Sequence, residues 1–166
     1  MRVLVVSDTH GTLPIDLSNF DVDAVIHAGD IGDNCFLSEF YMFDKFYAVA
    51  GNTDYYLDLP ENLCGEIEEI KFYLVHNLSA PHRIISSNHS KISECAPNLV
   101  VFGHTHTPLI EKKENTIFLN PGSLGKKGLT GYRSYAIIEI DGSDIKKIEI
   151  IDVKNQSIIK TYENEN

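Results

Sequence analysis

Five short apolar runs in this chain each stop against a carboxylate, an imidazole or a carboxamide, and no other feature limits the fold as much. The run at residues 2–6 leads into Asp8-Thr9-His10, and the run at 23–28 into Gly29-Asp30. Residues 46–50 lead into Gly51-Asn52, residues 71–75 into His76, and residues 99–102 into Gly103-His104-Thr105-His106. Val, Leu and Ile runs of this length suit strands buried on both faces, so a sheet built from them needs a covering layer on each side. In an open α/β sheet the carboxyl ends of such strands lie along one edge, where ligands bind.

Between the runs, residues 15–20 follow Pro14 and leave room for at most two helical turns. Apolar residues at 36, 37, 40, 41 and 43 recur at helical spacing, so 35–46 reads as a helix packed on the sheet. Residues 66–75 read as two strand-like stretches broken near Glu69, and 86–96 as a short helix. Beyond His106 the character changes. Strands are expected at 108–112, 116–120, 134–140 and 145–153, separated by Glu114-Asn115, Pro121-Gly122 and Asp141-Gly142 with no helix between them. The polar tail 161–166 is expected to fray. The expectation is βαβ units first and a β-meander second, hence two sheets with helices outside.

At 166 residues the chain is expected to form a single domain spanning 1–166. No stretch approaches the roughly 18 apolar residues of a membrane span. The N-terminus reads as a first strand rather than a signal peptide, which makes the cytoplasm the expected compartment. Cys35, Cys64 and Cys95 are odd in number and form no Cys-x-x-Cys, so free thiols are expected rather than a disulfide framework or zinc ribbon. A formal net charge of −10 disfavours duplex nucleic acid as a partner. Lys112-Lys113 and Lys126-Lys127 are only local basic pairs, and homo-oligomerisation cannot be read from this sequence. A small phosphoester remains compatible with an acidic chain if bound cations reverse the sign locally.

Asp8, His10, Asp30, Asn52, His76, His104 and His106 are therefore the candidate metal ligands. Oxygen and imidazole donors without thiolate suit Mn, Fe, Ni, Zn or Co. In extended chain Asp8 and His10 point the same way and can chelate one ion. Two divalent cations, set against two carboxylates and a bridging hydroxide, leave a positive surplus facing the cleft, and a phosphate anion is what such a centre attracts. His27 lies inside a strand and reads as a support behind the ligands, whereas His82 and His89 carry no spacing signal. Tyr55-Tyr56-Leu57, just after Asn52, reads two ways: packing of the following loop, or a surface on which an aryl group or base stacks.

Taken in order, Asp8-x-His10, Gly29-Asp30, Gly51-Asn52-x-Asp54, His76, Gly103-His104-x-His106 and Asn120-Pro121-Gly122-Ser123 resemble the calcineurin-like metallophosphoesterases. Within them the chain looks like the small bacterial and archaeal phosphodiesterases related to the retromer subunit Vps29. The resemblance runs from residue 1 to about residue 150 and implies an α/β fold, a four-layer αββα sandwich of two mixed sheets flanked by helices. It implies a dinuclear centre, with Mn ahead of Ni, Zn, Fe and Co, and a bridging hydroxide in place of a side-chain nucleophile. Asp8, His10, Asp30 and His106 would hold one metal; Asp30, Asn52, His76 and His104 would hold the other, with Asp30 bridging. Asp54 would support them from behind, and residues 120–123 would form a loop beside the site. This chain has Thr53 where many larger members place a histidine acid, and His76-Asn77 where the family usually writes His-Gly. The rival reading is a protein-interaction scaffold like Vps29, with the metal site weak or idle.

Overall fold

The computed structural model describes residues 1–78, 86–126, 128 and 131–164. The chain runs through β1 (Arg2–Val6), a 3-10 turn (Leu17–Asn19), β2 (Ala24–His27), α1 (Asn34–Leu37), a second 3-10 turn (Ser38–Met42) and β3 (Phe46–Ala48). β4 (Asn62–Ile67), β5 (Ile70–Val75), α2 (Ser86–Cys95) and β6 (Leu99–Val101) follow. β7 (Leu109–Lys113), β8 (Thr116–Asn120), β9 (Ser134–Asp141), β10 (Asp144–Asp152) and β11 (Ile158–Glu163) complete it.

These strands form two mixed sheets, of order β11-β10-β9-β1-β2-β3 and β4-β5-β6-β8-β7. β1, β2 and β3 are parallel in the first, and β5, β6 and β8 are parallel in the second. Alternation sorts each run between two cores. Val3, Val5, Ala24 and Ile26 meet Phe72, Leu74, Leu99 and Val101 between the sheets. Leu4, Val6 and Val25 face outward onto Leu17 and Phe40. On the far side Tyr73, Val75, Val100 and Phe102 pack under Ile92 and Cys95 of α2. Burial of each such side chain contributes about 1.5–3 kcal/mol. The four-layer αββα order follows, although the helical layer over the larger sheet is thin. Among the described residues no helix is long and apolar enough to cross a membrane.

Four expectations need correction. The segment 35–46 holds one α-turn and then a 3-10 turn that ends at Met42. Tighter winding lines up Leu37 and Phe40, three residues apart, and both are buried against the sheet side. The tail does not fray at Thr161: β11 pairs with β10 through Glu163, Asn164 N–H donates to Lys146 O, and Ile159 and Tyr162 pack on the central core. Cys64 and Cys95 form a disulfide, with Cα atoms 5.9 Å apart, and only Cys35 is free. The antiparallel pairing of β4 with β5 sets Cys64 opposite Tyr73, and α2 packs over that strand, so residues 31 apart in sequence come together. Finally, the C-terminal strands are not one meander. β7 and β8 join the second sheet, while β9, β10 and β11 extend the first.

Candidate metal centre

The five chemistry-bearing strand ends come from two sheets rather than one, and they still converge on one edge of the sandwich. Asp8 Oδ1 lies 3.0 Å from His106 Nε2. Asp30 Oδ2 lies 3.6 Å from His10 Nε2 and 3.5 Å from His76 Nε2. Asn52 Oδ1 completes the chain, 3.1 Å from His76 Nε2 and 3.0 Å from His104 Nδ1. These contacts make two sets, Asp8 with His106 and Asp30 with His10, His76, Asn52 and His104, and Asp8 lies close enough to His10, Asp30 and His76 to bring all seven predicted residues together. Asp8, His10 and His106 offer donor atoms within 4.8 Å of one another, and so do Asp8, Asp30 and His76.

Holding them this way demands unusual backbone. Asp8, His10, Asp30, His104 and His106 have φ of 54°, 46°, 55°, 66° and 54°. Side chains enter this left-handed region at a cost of about 1–3 kcal/mol each, and the surrounding structure must over-determine them. It does so through hydrogen bonds between loops. Asp8 N–H donates to Gly29 O (3.0 Å), His10 N–H to Asp30 O (2.9 Å) and Gly125 N–H to Asp8 O (3.1 Å). Gly103 has a different role: a Cβ there would collide with Ser7 Oγ and approach Asp8 Oδ2 to 2.8 Å, so close approach requires the glycine.

Supporting side chains complete the frame. The Asp54 carboxylate accepts from Ile31 N–H (2.9 Å), Gly32 N–H (3.2 Å) and Gly51 N–H (2.8 Å), which ties the Asp30 and Asn52 loops together. Asp8 Oδ2 accepts from Ser7 Oγ (2.6 Å) and from His104 N–H (3.2 Å). Ser123 Oγ donates to Asp8 O, and Asn120 Nδ2 donates to Gly103 O and Thr105 Oγ1. Thr9 Oγ1 donates to Ile31 O (2.8 Å), so His27 Nε2–H must donate to that hydroxyl (2.9 Å), while His27 Nδ1 accepts from Gly29 N–H. Burial drops the His27 pKa to about 3 against the opposing charges of Asp8 and Asp30. Sequence reasoning missed Ser7 and Thr9; their only signal was position, polar residues flanking Asp8 at a strand end. His82 and Lys127 lie outside the described residues.

His76 Nδ1 is 2.7 Å from Ala28 O, which only accepts, so Nδ1 carries the proton and Nε2 faces the cluster. Burial would lower the His76 pKa, but Asp30 and Asp8 outweigh it and raise it. The Asp8 carboxylate, whose Oδ1 lies 3.0 Å from His106 Nε2, raises the His106 pKa. Burial would raise the Asp30 carboxyl, but His76 and Thr53 N–H overcome it and hold Asp30 well below the usual carboxylate range.

These residues fit divalent cations. Asp8 Oδ1 is buried and, among the described residues, receives no well-aligned hydrogen bond; it faces the His106 imidazole at 3.0 Å. That is costly for a carboxylate unless a cation faces it. Two donor atoms at right angles around one ion, each about 2.1 Å from it, lie about 3 Å apart, comparable with the spacings above.

Comparison with known proteins points the same way. Residues 1–143 match the family model of the calcineurin-like phosphoesterase superfamily domain. A probable metallophosphoesterase of Methanocaldococcus jannaschii is 34% identical over 131 residues, covering 74% of this chain and 68% of the relative. A phosphodiesterase of the same organism is 26% identical over 174 residues, covering 89% and 98%. A Vps29 variant from Entamoeba histolytica superposes with a TM-score of 0.80 at 20% identity, covering 99% of this chain and 100% of that one; at that identity the likeness speaks for the fold alone.

Proposed function

Because the chain belongs to the calcineurin-like phosphoesterase superfamily, we propose that it is a phosphodiesterase that works with two divalent cations. Asp8, His10, Asp30 and His106 would hold one cation, and Asp30, Asn52, His76 and His104 the other. The observation that carries this reading is Asp30 Oδ2, set almost equally between His10 and His76, together with the buried Asp8 Oδ1, which faces the His106 imidazole. When bound, the cations supply Lewis acidity toward a phosphoryl oxygen and lower the pKa of water.

The chain's own residues do the positioning. Asp54 holds the Asn52 loop against the Asp30 loop, and the Ala28 carbonyl keeps His76 in the tautomer that presents Nε2. Neutral Asn52 and neutral imidazoles leave the two carboxylates as the only negative ligands, so positive charge is left over for the substrate's phosphate. Thr53 gives its backbone N–H to Asp30 Oδ1 (2.9 Å), and its hydroxyl is far too weak an acid to protonate a leaving alkoxide. Esters with good leaving groups, such as aryl diesters, should therefore be cleaved faster than alkyl ones.

The test is a metal-stripped preparation titrated with Mn, Ni or Zn against an aryl phosphodiester. Saturable stimulation is the expected result, and no stimulation by any metal would overturn the reading. The scaffold reading keeps one argument, His76-Asn77 in place of the family's usual His-Gly. Undetectable hydrolysis together with a stoichiometric protein partner would favour it.

A further inference from the structure

Tyr55 and Tyr56 stand at the tip of a turn whose two feet are anchored. Asp54 is buried and holds three backbone N–H groups, and Leu57 N–H closes the turn on Asp54 O at 3.1 Å. Leu57 is buried among Ile31, Leu37 and Ala48. Packing therefore accounts for Leu57 only. Tyr55 is 82% exposed and Tyr56 92% exposed, more than any other large apolar side chain of the described residues. Among those residues neither ring stacks on another, and neither hydroxyl has a hydrogen-bond partner. By contrast Tyr73 donates to Asn88, Tyr135 to Gln156, and Tyr47 packs edge-on to Phe72.

The place of these rings matters as much as their exposure. Three peptide units separate Tyr55 from Asn52, which puts their backbones within about 11 Å of each other. The intervening Thr53 N–H is bonded to Asp30 Oδ1, so the turn starts from the cluster itself. We propose that Tyr55 and Tyr56 form a subsite for a planar aromatic group, a nucleobase or an aryl ring, carried by the phosphoester. This inference rests on the phosphodiesterase reading and narrows its substrate class. The cations take the phosphate, and the anchored turn offers faces on which its substituent stacks. Aromatic faces accept any base or aryl ring because each has a π-face, and one stack is worth roughly tenfold in affinity. A turn fixed at both feet presents the rings without a large ordering cost on binding.

The experiment compares ligands that differ only in the ring. Adenosine 5′-monophosphate against ribose 5-phosphate, and phenyl phosphate against ethyl phosphate, are titrated into Mn-loaded protein by calorimetry. Adenosine alone is followed by tyrosine fluorescence, which is undisturbed because the chain has no tryptophan. The expected result is about tenfold tighter binding of at least one ring-bearing member; the pair that shows it tells nucleobase from simple aryl. That preference should fall toward one in the Y55A/Y56A variant and survive in Y55F/Y56F, since stacking needs the ring and not the hydroxyl. Thermal midpoints of the variants check that the turn's loss has not unfolded the protein. No preference in the unaltered protein, or a preference that survives the alanine pair, overturns the subsite. If ribose 5-phosphate binds and an aryl diester is hydrolysed without any ring preference, the subsite alone fails. If adenosine binding depends on the tyrosines while no metal supports hydrolysis, the phosphodiesterase reading alone fails.

Discussion

Asp8 and Asn52 occupy corresponding posts at the two ends of the cluster, and the protein treats them in opposite ways. Asp8 is fully buried; its carboxylate, its carbonyl and its N–H are each engaged, by Ser7 and His104, by Ser123 and Gly125, and by Gly29. Asn52 is exposed, and among the described residues its side-chain oxygen meets only His76 and His104. Its loop is held from behind by Asp54, and the neighbouring Asn77 carbonyl by Asn88 Nδ2 (3.1 Å). The first corner is over-determined and the second is tethered. A buried carboxylate must be over-determined, because misplacing it strands a charge away from water. A neutral amide at the exposed rim carries no such penalty, so it can be held more loosely.

The sharpest way to break this comparison is at the residue both corners share. Asp30→Ala removes the carboxylate between them, so metal analysis should find neither equivalent retained. Activity should fall on the order of 10³-fold, since loss of Lewis-acid stabilisation worth several kcal/mol is at stake. Asp8→Ala and Asn52→Ala then separate the ends: Asp8→Ala should lose one equivalent and destabilise the fold, whereas Asn52→Ala should lose the other with little change in urea midpoint. Equal losses of stability would break the contrast.

Gly103→Ala tests the same contrast through the backbone. Its methyl would meet Ser7 Oγ and crowd Asp8, so the damage should fall on the first corner and cost about 1–3 kcal/mol, read by denaturant unfolding. Asp54→Ala tests the second. It leaves three backbone N–H groups without their acceptor, at about 1–3 kcal/mol for each that water cannot reach.

The comparison also explains what could be read from sequence. Asp8, Asp30, His76 and His104 were legible as candidates because each follows an apolar run, and parallel strands deliver their carboxyl ends to one edge. The need for glycine at 103, close approach to Ser7, was not legible, because Ser7 lies far away in sequence. Left-handed backbone at five candidate ligands was not legible, because it is imposed by bonds between loops distant in sequence. The Cys64–Cys95 bridge depends on α2 lying across β5, which no local pattern records. β11 was overlooked because Ile158 and Ile159 precede the polar tail and pair only after β10 offers its edge. α1 was overextended because its aromatic spacing also suits a 3-10 turn.

The smallest effect expected is one of pH on the metal's contribution to stability. His76 and His106 are raised above their ordinary value by Asp30 and Asp8. In the metal-free protein their protonated forms face those carboxylates, a stabilisation fully present below pH 6.5 and lost as pH rises through the folded values. Cations must displace these protons. The rise in Tm on adding Mn should therefore be smaller near pH 6 than near pH 8.5, by a few degrees in paired scans. His27 acts with the opposite sign: held neutral with a pKa of about 3, it contributes stability above 6.5 that is lost as pH falls toward 3. It faces Asp8, His10, Asp30 and His76 through space, so cations among them would only push its pKa lower, and in the folded protein it is already neutral at both pH 6 and pH 8.5. The difference between the scans therefore isolates the two raised histidines. His106→Gln should flatten it in part, because the His76–Asp30 contact remains, and a difference unchanged by that substitution would mean that His106 is not where metal and proton compete.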